Sequence, residues 1–170
     1  METLYGGRFV SLVSRGRWEF AVRTNAHGIV LVVAVTEAGE LVLVEQERPP
    51  VGGPVIELPA GLAGDEDAGE GLAAAAAREL TEETGFVAES LEPLGDAAPS
   101  PGLVSEIYTF FRARGLRRLT SGGGVAGEAI TVHLVPLAEV RAFLAASRAR
   151  GAHVALAVHA ALGFLAAESA

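Results

Sequence analysis

Three glutamates, Glu79, Glu82 and Glu83, lie within five positions in the stretch GEGLAAAAARELTEETGF, residues 69–86. The alanine run favours a helix, and at 100° per residue the three carboxylates would share one helical face with no lysine nearby. Like charges at this spacing repel by about a few tenths of a kcal/mol per pair, which a solvated face tolerates. A hard divalent cation such as Mg²⁺, which binds carboxylate oxygens, would instead neutralise them. The cluster is therefore either a solvated helix face or a metal site.

The charge and cysteine content of the chain limit what it could bind. The 170 residues carry a formal net charge of −8 and include no cysteine. Binding to a nucleic-acid backbone depends on clusters of lysine and arginine, so no nucleic-acid partner is expected. An anionic substrate would need a cation as an intermediary. Without cysteine, disulfides and thiolate metal sites are excluded.

The chain shows no membrane or export signal by composition. Met1 is followed by polar residues rather than by the charged and then apolar layout of a signal peptide, which predicts a cytoplasmic protein. The longest apolar stretches are residues 28–35 and 154–167. Both are shorter than the roughly 20 residues that a membrane helix requires, so no membrane association is expected. We interpret them as a buried strand and a buried helix.

Apolar patterning and turn residues predict one domain that contains both strands and helices. The most clearly marked helix spans about Gly71 to Thr84 and ends at Gly85. Two other helices are predicted at residues 137–151 and in the final apolar stretch. Strands are predicted as an N-terminal hairpin at 8–23, as a pair at 28–50 ended by Pro49-Pro50, as the short stretch VIELPAG at 55–61, and at 105–116 and 129–137, with the glycine-rich loop 120–128 between the last two.

The four histidines show no spacing typical of a metal site. His153 and His159 are predicted to lie on an apolar helix, where six residues of separation puts them on different faces. His27 and His133 are predicted to lie inside strands. We interpret all four as core or surface residues.

Residues 64–86 match the pattern G-x5-E-x7-R-E-U-x-E-E-x-G-U, in which U is apolar, at every defined position. This segment resembles the signature of the Nudix hydrolase family. The resemblance implies an α+β fold, an α/β/α sandwich with a mixed sheet and, here, an N-terminal β-hairpin extension over residues 1–25. The matching residues are Gly64, Glu70, Arg78, Glu79, Leu80, Glu82, Glu83, Gly85 and Phe86.

Three further segments resemble the ADP-ribose and ADP-sugar pyrophosphatase branch of that family. They are ERPPVGGPVIELPAG at 47–61, SPGLVSE at 100–106, and RWEFAVR at 17–23, which is similar to a base-binding N-terminal strand. One feature departs from the branch. In that branch the first box glycine is usually the glycine of PAG, here Gly61. Eight residues separate Gly61 from Glu70, whereas the box pattern has five. Either Gly64 is the box glycine or the loop carries an insertion of three residues.

The resemblance also implies roles for the box residues. Glu79 and Glu83 would hold Mg²⁺ or Mn²⁺, with the carbonyl of Ala60 as a third ligand, and Glu82 would share contacts to the metal or to its water. Metals about 4 Å apart can neutralise a diphosphate and acidify water. The remaining box residues would be structural, with Glu70 and Arg78 paired to fix the loop against the helix; the alternative is that these two are ordinary surface ions. The structural set is Gly61, Gly64, Glu70, Arg78 and Gly85.

A carboxylate must accept the proton of the attacking water, and Glu128, after the glycine-rich loop, is the candidate by resemblance; otherwise it is an ordinary strand-edge residue. Trp18 would stack on the base, with Glu19 reading the base edge, or Trp18 is a core residue. Arg48 and Glu57 would lie near the diphosphate and ribose. The full predicted substrate-binding set is Trp18, Glu19, Arg23, Arg48, Glu57, Pro101, Gly102, Leu103 and Glu106.

The sequence thus predicts a Mg²⁺-dependent enzyme that cleaves ADP-ribose or a related nucleoside diphosphate sugar, and a homodimer formed through the N-terminal hairpin. Three alternatives stay open at this level. They are a Nudix enzyme for another diphosphate such as GDP-mannose or a dinucleoside polyphosphate, a nucleotide-sensing module without catalysis, and a scaffold with an unused acidic helix.

Overall fold

A computed structural model describes residues 1–65, 67–125, 127 and 129–168. The α-helices are α1 (Leu72–Thr84), α2 (Val140–Ala149) and α3 (Leu156–Glu168). Short 3-10 helices occupy Pro49–Val51 and Leu137–Glu139. The strands are β1 (Glu2–Gly6), β2 (Val10–Arg15), β3 (Trp18–Arg23), β4 (Gly28–Ala34), β5 (Glu40–Arg48), β6 (Gly53–Glu57), β7 (Ala60–Ala63), β8 (Phe86–Val87), β9 (Ser90–Ala97), β10 (Tyr108–Arg114), β11 (Arg117–Arg118), β12 (Thr131–Pro136) and β13 (His153–Val154).

Two mixed four-stranded sheets, with strand orders β7-β4-β10-β9 and β12-β5-β6-β13, form the centre of the fold. Strands β4 and β5 are consecutive and meet at a bridge between Val35 and Leu41, which connects the two sheets. The predicted mixed sheet is confirmed. The pair β8 and β11 forms a separate two-stranded ribbon.

Alternating side chains on the central strands enter two different cores. On β4, Val30 and Val32 pack in the core that contains Ala76 and Leu80 of α1. Leu31 and Val33 of the same strand pack in the core that contains residues of α2 and α3. Because successive strand residues point to opposite faces, α1 covers one face and α2 with α3 the other. This arrangement is the predicted α/β/α sandwich.

The N-terminal extension is a three-stranded antiparallel sheet of order β1-β2-β3. Strands β2 and β3 are the predicted hairpin, and its turn contains Gly16 at φ +62°, a conformation that favours glycine. Strand β1 was not predicted from the sequence. Most side chains of this small sheet are at least partly exposed, and Val13 is the buried exception among its apolar residues.

The segment VIELPAG, predicted as one strand, is two strands in different sheets. Glu57 ends β6, which pairs with β5, and Ala60 begins β7, which pairs with β4. Pro59 lies between them and has no N–H to continue a ladder, while its carbonyl accepts a bond of 2.8 Å from Val32 N. The end of β6 and the start of β7 therefore lie close together, although the two strands belong to different sheets.

Helix α1 agrees with the prediction, and Gly85 follows it at φ +73°. The prediction that His27 lies in a strand is wrong. His27 occupies a bend before β4, where its backbone N–H donates to the carbonyl of Ala63. His153 lies in β13 rather than on a helix, because the chain first pairs with β6. His133 in β12 and His159 in α3 lie where predicted. No helix in the described ranges is long and apolar enough to cross a membrane.

Candidate active site

A cleft of about 520 Å³ opens beside the point where β6 passes to β7. Its floor is formed by side chains of β4, β7 and β10 on the face opposite α1, and further walls come from β5, β6 and the start of α3. The lining residues are Arg23, Ile29, Leu31, Gln46, Arg48, Glu57, Leu58, Ala60, Gly61, Leu62, Asp65, Glu79, Glu83, Pro99, Glu106, Tyr108, Ala155, Leu156 and Ala157.

Two glutamates of α1 reach this cleft around the edge strand β7. Glu83 is 5% exposed, and its Oε2 accepts a hydrogen bond of 3.0 Å from Ala60 N. Glu79 lies against Gly61, where an added Cβ would overlap the carboxylate. Gly61 is therefore the glycine that lets α1 approach the strand. Gly64, at φ +87°, instead packs against the ring of His27, outside the cleft.

The acidic cluster has no lysine nearby, but Arg78 of the same helix holds it. Arg78 Nη1 donates to Glu79 at 2.8 Å and to Glu82 at 3.2 Å. Its Nε lies 2.9 Å from Glu70 Oε1, and its Nη2 donates to the carbonyl of Leu62. The expected pair between Arg78 and Glu70 is thus present. The long guanidinium side chain reaches both helix neighbours and the loop, which spacing along the helix alone does not predict.

Burial governs the electrostatics of this cluster. It raises the pKa of Glu79 to about 7, with smaller upward contributions from Glu82 and Asp65, while Arg78 acts in the opposite direction. The hydrogen bond from Arg78 lowers the pKa of Glu70. Glu79 therefore lies where an added positive charge would stabilise its ionised form.

The oxygen atoms at the rim of the cleft suit a hard cation. Glu79, Glu83 and the backbone of Ala60 meet there, and Mg²⁺ prefers oxygen ligands and keeps several of its waters. Among the described residues, no group of three or more His, Asp or Glu side chains is already arranged around a metal position. The donor chemistry therefore fits Mg²⁺ or Mn²⁺ through two carboxylates and water.

Two ion pairs between arginine and glutamate line the other part of the cleft. Arg48 Nε lies 2.8 Å from Glu57 Oε2, and Arg23 Nη2 lies 2.8 Å from Glu106 Oε1. All four were predicted as substrate-binding residues. The fold brings them together with the glutamates of α1 in one cleft.

A family model described as the NUDIX domain matches residues 25–155, which is most of the chain. The chain belongs to the Nudix family.

Several curated proteins resemble this Nudix chain. A methanol dehydrogenase activator of Bacillus methanolicus is 34% identical over 130 residues, which cover 73% of this chain and 69% of that protein. An ADP-ribose pyrophosphatase of Bacillus subtilis is 39% identical over 89 residues, 52% of this chain and 46% of that protein. A GDP-mannose pyrophosphatase of Yersinia pestis (strain Pestoides F) is 33% identical over 135 residues, 75% of this chain and 66% of that protein. The chain thus spans between about half and two thirds of the length of these relatives.

A solved structure described as an ADP compounds hydrolase superposes on the Nudix fold of this chain with a TM-score of 0.66. It is 23% identical and covers 85% of this chain and 80% of the other. At this identity the likeness concerns the fold alone.

Several residues of the Nudix cleft were not predicted from sequence. Tyr108 of β10 is opposite Ile29 of β4, which in turn is opposite Leu62 of β7. Directly opposed residues share a face, so the three form one row across the cleft floor. Burial raises the pKa of the Tyr108 hydroxyl, with a smaller contribution from Glu106. Only the strand register, which the sequence does not show, identifies this row.

Other predicted residues of the Nudix chain lie outside the cleft. Trp18 is 55% exposed, so the alternative that it is a core residue is wrong. Neither it nor Glu19 lines the cleft. Residues 101–103 also lie outside, because their loop pairs with β3: Ala21 N donates to the carbonyl of Leu103 at 2.8 Å. Pro99 lines the cleft instead of Pro101.

The glycine-rich loop docks on the carboxyl end of the Nudix helix. Gly123 N donates to the carbonyl of Glu83 at 2.9 Å, and Gly124 N donates to that of Glu82 at 3.1 Å. A Cβ on Gly122 would overlap the backbone of Thr84. The loop thus satisfies carbonyls that a helix end leaves unpaired. Glu128, the predicted general base, lies outside the described residues.

Proposed function

We propose that residues 1–170 form one Nudix domain that hydrolyses ADP-ribose, or a related nucleoside diphosphate sugar, to a nucleoside monophosphate and a sugar phosphate. The observation that carries this proposal is the composition of the cleft. Carboxylates of α1 at its rim and two arginines among its walls are suited to a metal-assisted attack on a diphosphate. The similarity to ADP-ribose pyrophosphatases supports the choice of substrate.

We propose Mg²⁺ or Mn²⁺ as the cofactor, held by Glu79 and Glu83 with the backbone of Ala60, and with Glu82 contributing through water. A divalent ion in this position would neutralise diphosphate charge and lower the pKa of water. Arg78 does not enter this set, because its guanidinium holds the carboxylates and the loop in place.

We propose that side chains of the protein orient the diphosphate and accept the proton of the attacking water. Arg48 and Arg23 can donate to phosphate oxygens and so orient the diphosphate, since guanidinium groups form paired bonds with such anions. A water oxygen then attacks one phosphorus, and the bridging P–O bond breaks with its electron pair leaving on the other phosphate. We propose that Glu128 accepts the proton of that water.

We further propose that the protein is a homodimer formed through the extension at residues 1–25, and that Trp18 binds the base from there. The extension exposes several large apolar side chains, which favours a partner surface. They are Leu4, Tyr5, Phe9, Val10, Leu12 and Trp18. Light scattering at micromolar concentration tests the dimer, and a monomer mass would contradict it. Location in the cytoplasm stays a prediction.

A second candidate substrate is GDP-mannose, which the similarity to a GDP-mannose pyrophosphatase favours. Both candidates are nucleoside diphosphate sugars, so the same cleft chemistry applies to either. A purely sensing role is less favoured, since the chain retains Glu79 and Glu83 at the rim of the cleft.

The test is a panel of nucleoside diphosphate sugars and dinucleoside polyphosphates incubated with the protein in Mg²⁺ or in EDTA, with the products identified by ³¹P NMR. We expect a nucleoside monophosphate and a sugar phosphate to form only with the metal. Glu83→Gln should abolish most of the turnover, whereas Glu37→Gln, at an exposed turn residue, should retain it. Absence of hydrolysis across the panel, or equal turnover in EDTA, would contradict the proposal.

A further inference from the structure

Tyr108 lies on the floor of the cleft. It shares a row with Ile29 and Leu62 across β10, β4 and β7. Neighbouring strands lie about 4.8 Å apart, so the backbone of Tyr108 is roughly 10 Å from that of β7. The rim formed by Ala60 and Glu83 belongs to the β7 side. A ligand whose diphosphate binds at this rim would therefore extend its next group over Tyr108.

The hydroxyl of Tyr108 has no hydrogen-bond partner within the part of the chain that the structure describes, although the residue is half-buried. A phenol that faces a cleft can donate one hydrogen bond to a ligand and accept others. The nearby charged groups are already paired with each other, Arg23 with Glu106 and Arg48 with Glu57. The hydroxyl of Tyr108 is therefore available to form a hydrogen bond with a ligand.

The surroundings of Tyr108 favour an uncharged, hydroxyl-bearing ligand group. Glu106 and Glu57 act electrostatically on Tyr108, and their partners Arg23 and Arg48 act in the opposite direction, so the two ion pairs leave little net charge around the hydroxyl. In the proposed function Arg23 and Arg48 bond the diphosphate, so a further phosphate over Tyr108 would meet the carboxylates of Glu57 and Glu106 with those two arginines already in use. Sugar hydroxyls can both donate to carboxylates and exchange hydrogen bonds with a phenol.

We propose that Tyr108 is a specificity-determining residue whose hydroxyl bonds a hydroxyl of the sugar attached to the diphosphate, so that the cleft selects nucleoside diphosphate sugars over nucleotides that end in phosphate. This inference rests on the proposed function and names the residue that selects its substrate class. It concerns binding of the sugar alone and involves no step of the hydrolysis.

The test compares two non-hydrolysable ligands, α,β-methylene ADP-ribose and α,β-methylene ADP, of which the first carries a sugar on its second phosphate and the second ends in that phosphate. Tyr108→Phe should weaken binding of the first about 5-fold by calorimetry, which corresponds to one hydrogen bond of about 1 kcal/mol, and leave the second unchanged. For hydrolysis of ADP-ribose, KM should rise by a similar factor with little change in kcat, because the bond is equal in ground and transition states.

Ser90, an exposed hydroxyl-bearing residue of β9 outside the cleft, is the control. Ser90→Ala should alter neither affinity. In nitration with tetranitromethane, α,β-methylene ADP-ribose should protect Tyr108. Circular dichroism establishes that each variant is folded.

Failure of this inference differs from failure of the proposed function. If the wild type hydrolyses nucleoside diphosphate sugars but Tyr108→Phe binds both analogues as the wild type does, or weakens both by the same factor, the role of Tyr108 is wrong and the proposed function stands. If the wild type hydrolyses no member of the panel and binds neither analogue, both are wrong.

Discussion

Replacing Arg78 by glutamine would show how the acidic cluster is held. One guanidinium contacts Glu70, Glu79, Glu82 and the carbonyl of Leu62, each within 3.2 Å. The variant keeps a polar side chain but removes the charge and most of these bonds. We expect the loop before α1 to loosen and the carboxylates to repel one another.

The size of the effect follows from the burial of the pair. The side chains of Arg78 and Glu70 are 21% and 14% exposed, between a surface pair and a fully buried one. Exposed pairs contribute about 0–1 kcal/mol, and removing one partner of a buried pair costs about 3–5 kcal/mol. We therefore expect the free energy of unfolding to fall by about 2–3 kcal/mol. At about 2–4 °C per kcal/mol, the Tm falls by about 4–12 °C.

Mg²⁺ should recover more stability in Arg78→Gln than in the wild type, because a cation that binds only the folded state stabilises it and here also replaces the lost positive charge. Thermal unfolding in EDTA and in Mg²⁺ measures both effects. The control is Arg114→Gln, whose side chain is 43% exposed and which pairs with both Glu92 and Glu168. Its loss of stability should be smaller than that of Arg78→Gln and independent of Mg²⁺. Equal losses in the two variants, or no difference in the response to Mg²⁺, would refute the reasoning.

Three other predictions concern catalysis, the base and pH. Glu83→Gln should lower kcat by roughly two orders of magnitude with the fold intact, since a metal-facing charge is lost; near-normal turnover with normal Mg²⁺ dependence would contradict the assignment. Trp18→Ala should raise KM for ADP-ribose about 5- to 150-fold, from stacking of about 1–3 kcal/mol, and an unchanged KM would rule out base binding. The hydrogen bond from Arg150 lowers the pKa of Glu45, so the stability it provides is present above about pH 4.5 and is lost as the pH falls through the lowered pKa. Arg150→Gln should therefore reduce stability at pH 7 and flatten its loss in acid, as urea unfolding at several pH values would show.

The sequence alone was sufficient for features that depend on neighbouring residues. The alanine run and Gly85 predict both ends of α1 to within a residue, because helix propensity and the left-handed stop act locally. The apolar runs that become β4 and β5 were recognised for the same reason. The spacing of Glu79 and Glu83 on one helix also follows from local geometry, and it led to the family and to the rim of the cleft.

Local pattern was not sufficient where distant segments determine the structure. Strand β9 contains Pro93 and Gly95, which weaken any local strand signal, and it forms because β10 offers a ladder. The short strand β13 likewise exists through its pairing with β6. Interactions with partners far along the chain also decided which residues of the loop at 100–106 reach the cleft, since pairing with β3 holds residues 101–103 outside.

The residues of the cleft also divide into those that the sequence identified and those that only the tertiary structure placed. The sequence identified the carboxylates of α1 by their spacing and the arginines by the family resemblance, whereas Tyr108 has no local signal that distinguishes it from any other strand tyrosine. Its place on the floor depends on the register of three strands, in which it lies opposite Ile29 and, through it, Leu62. Register is set by pairings between residues far apart in the chain, and a shift of one residue would turn Tyr108 to the opposite face of the sheet.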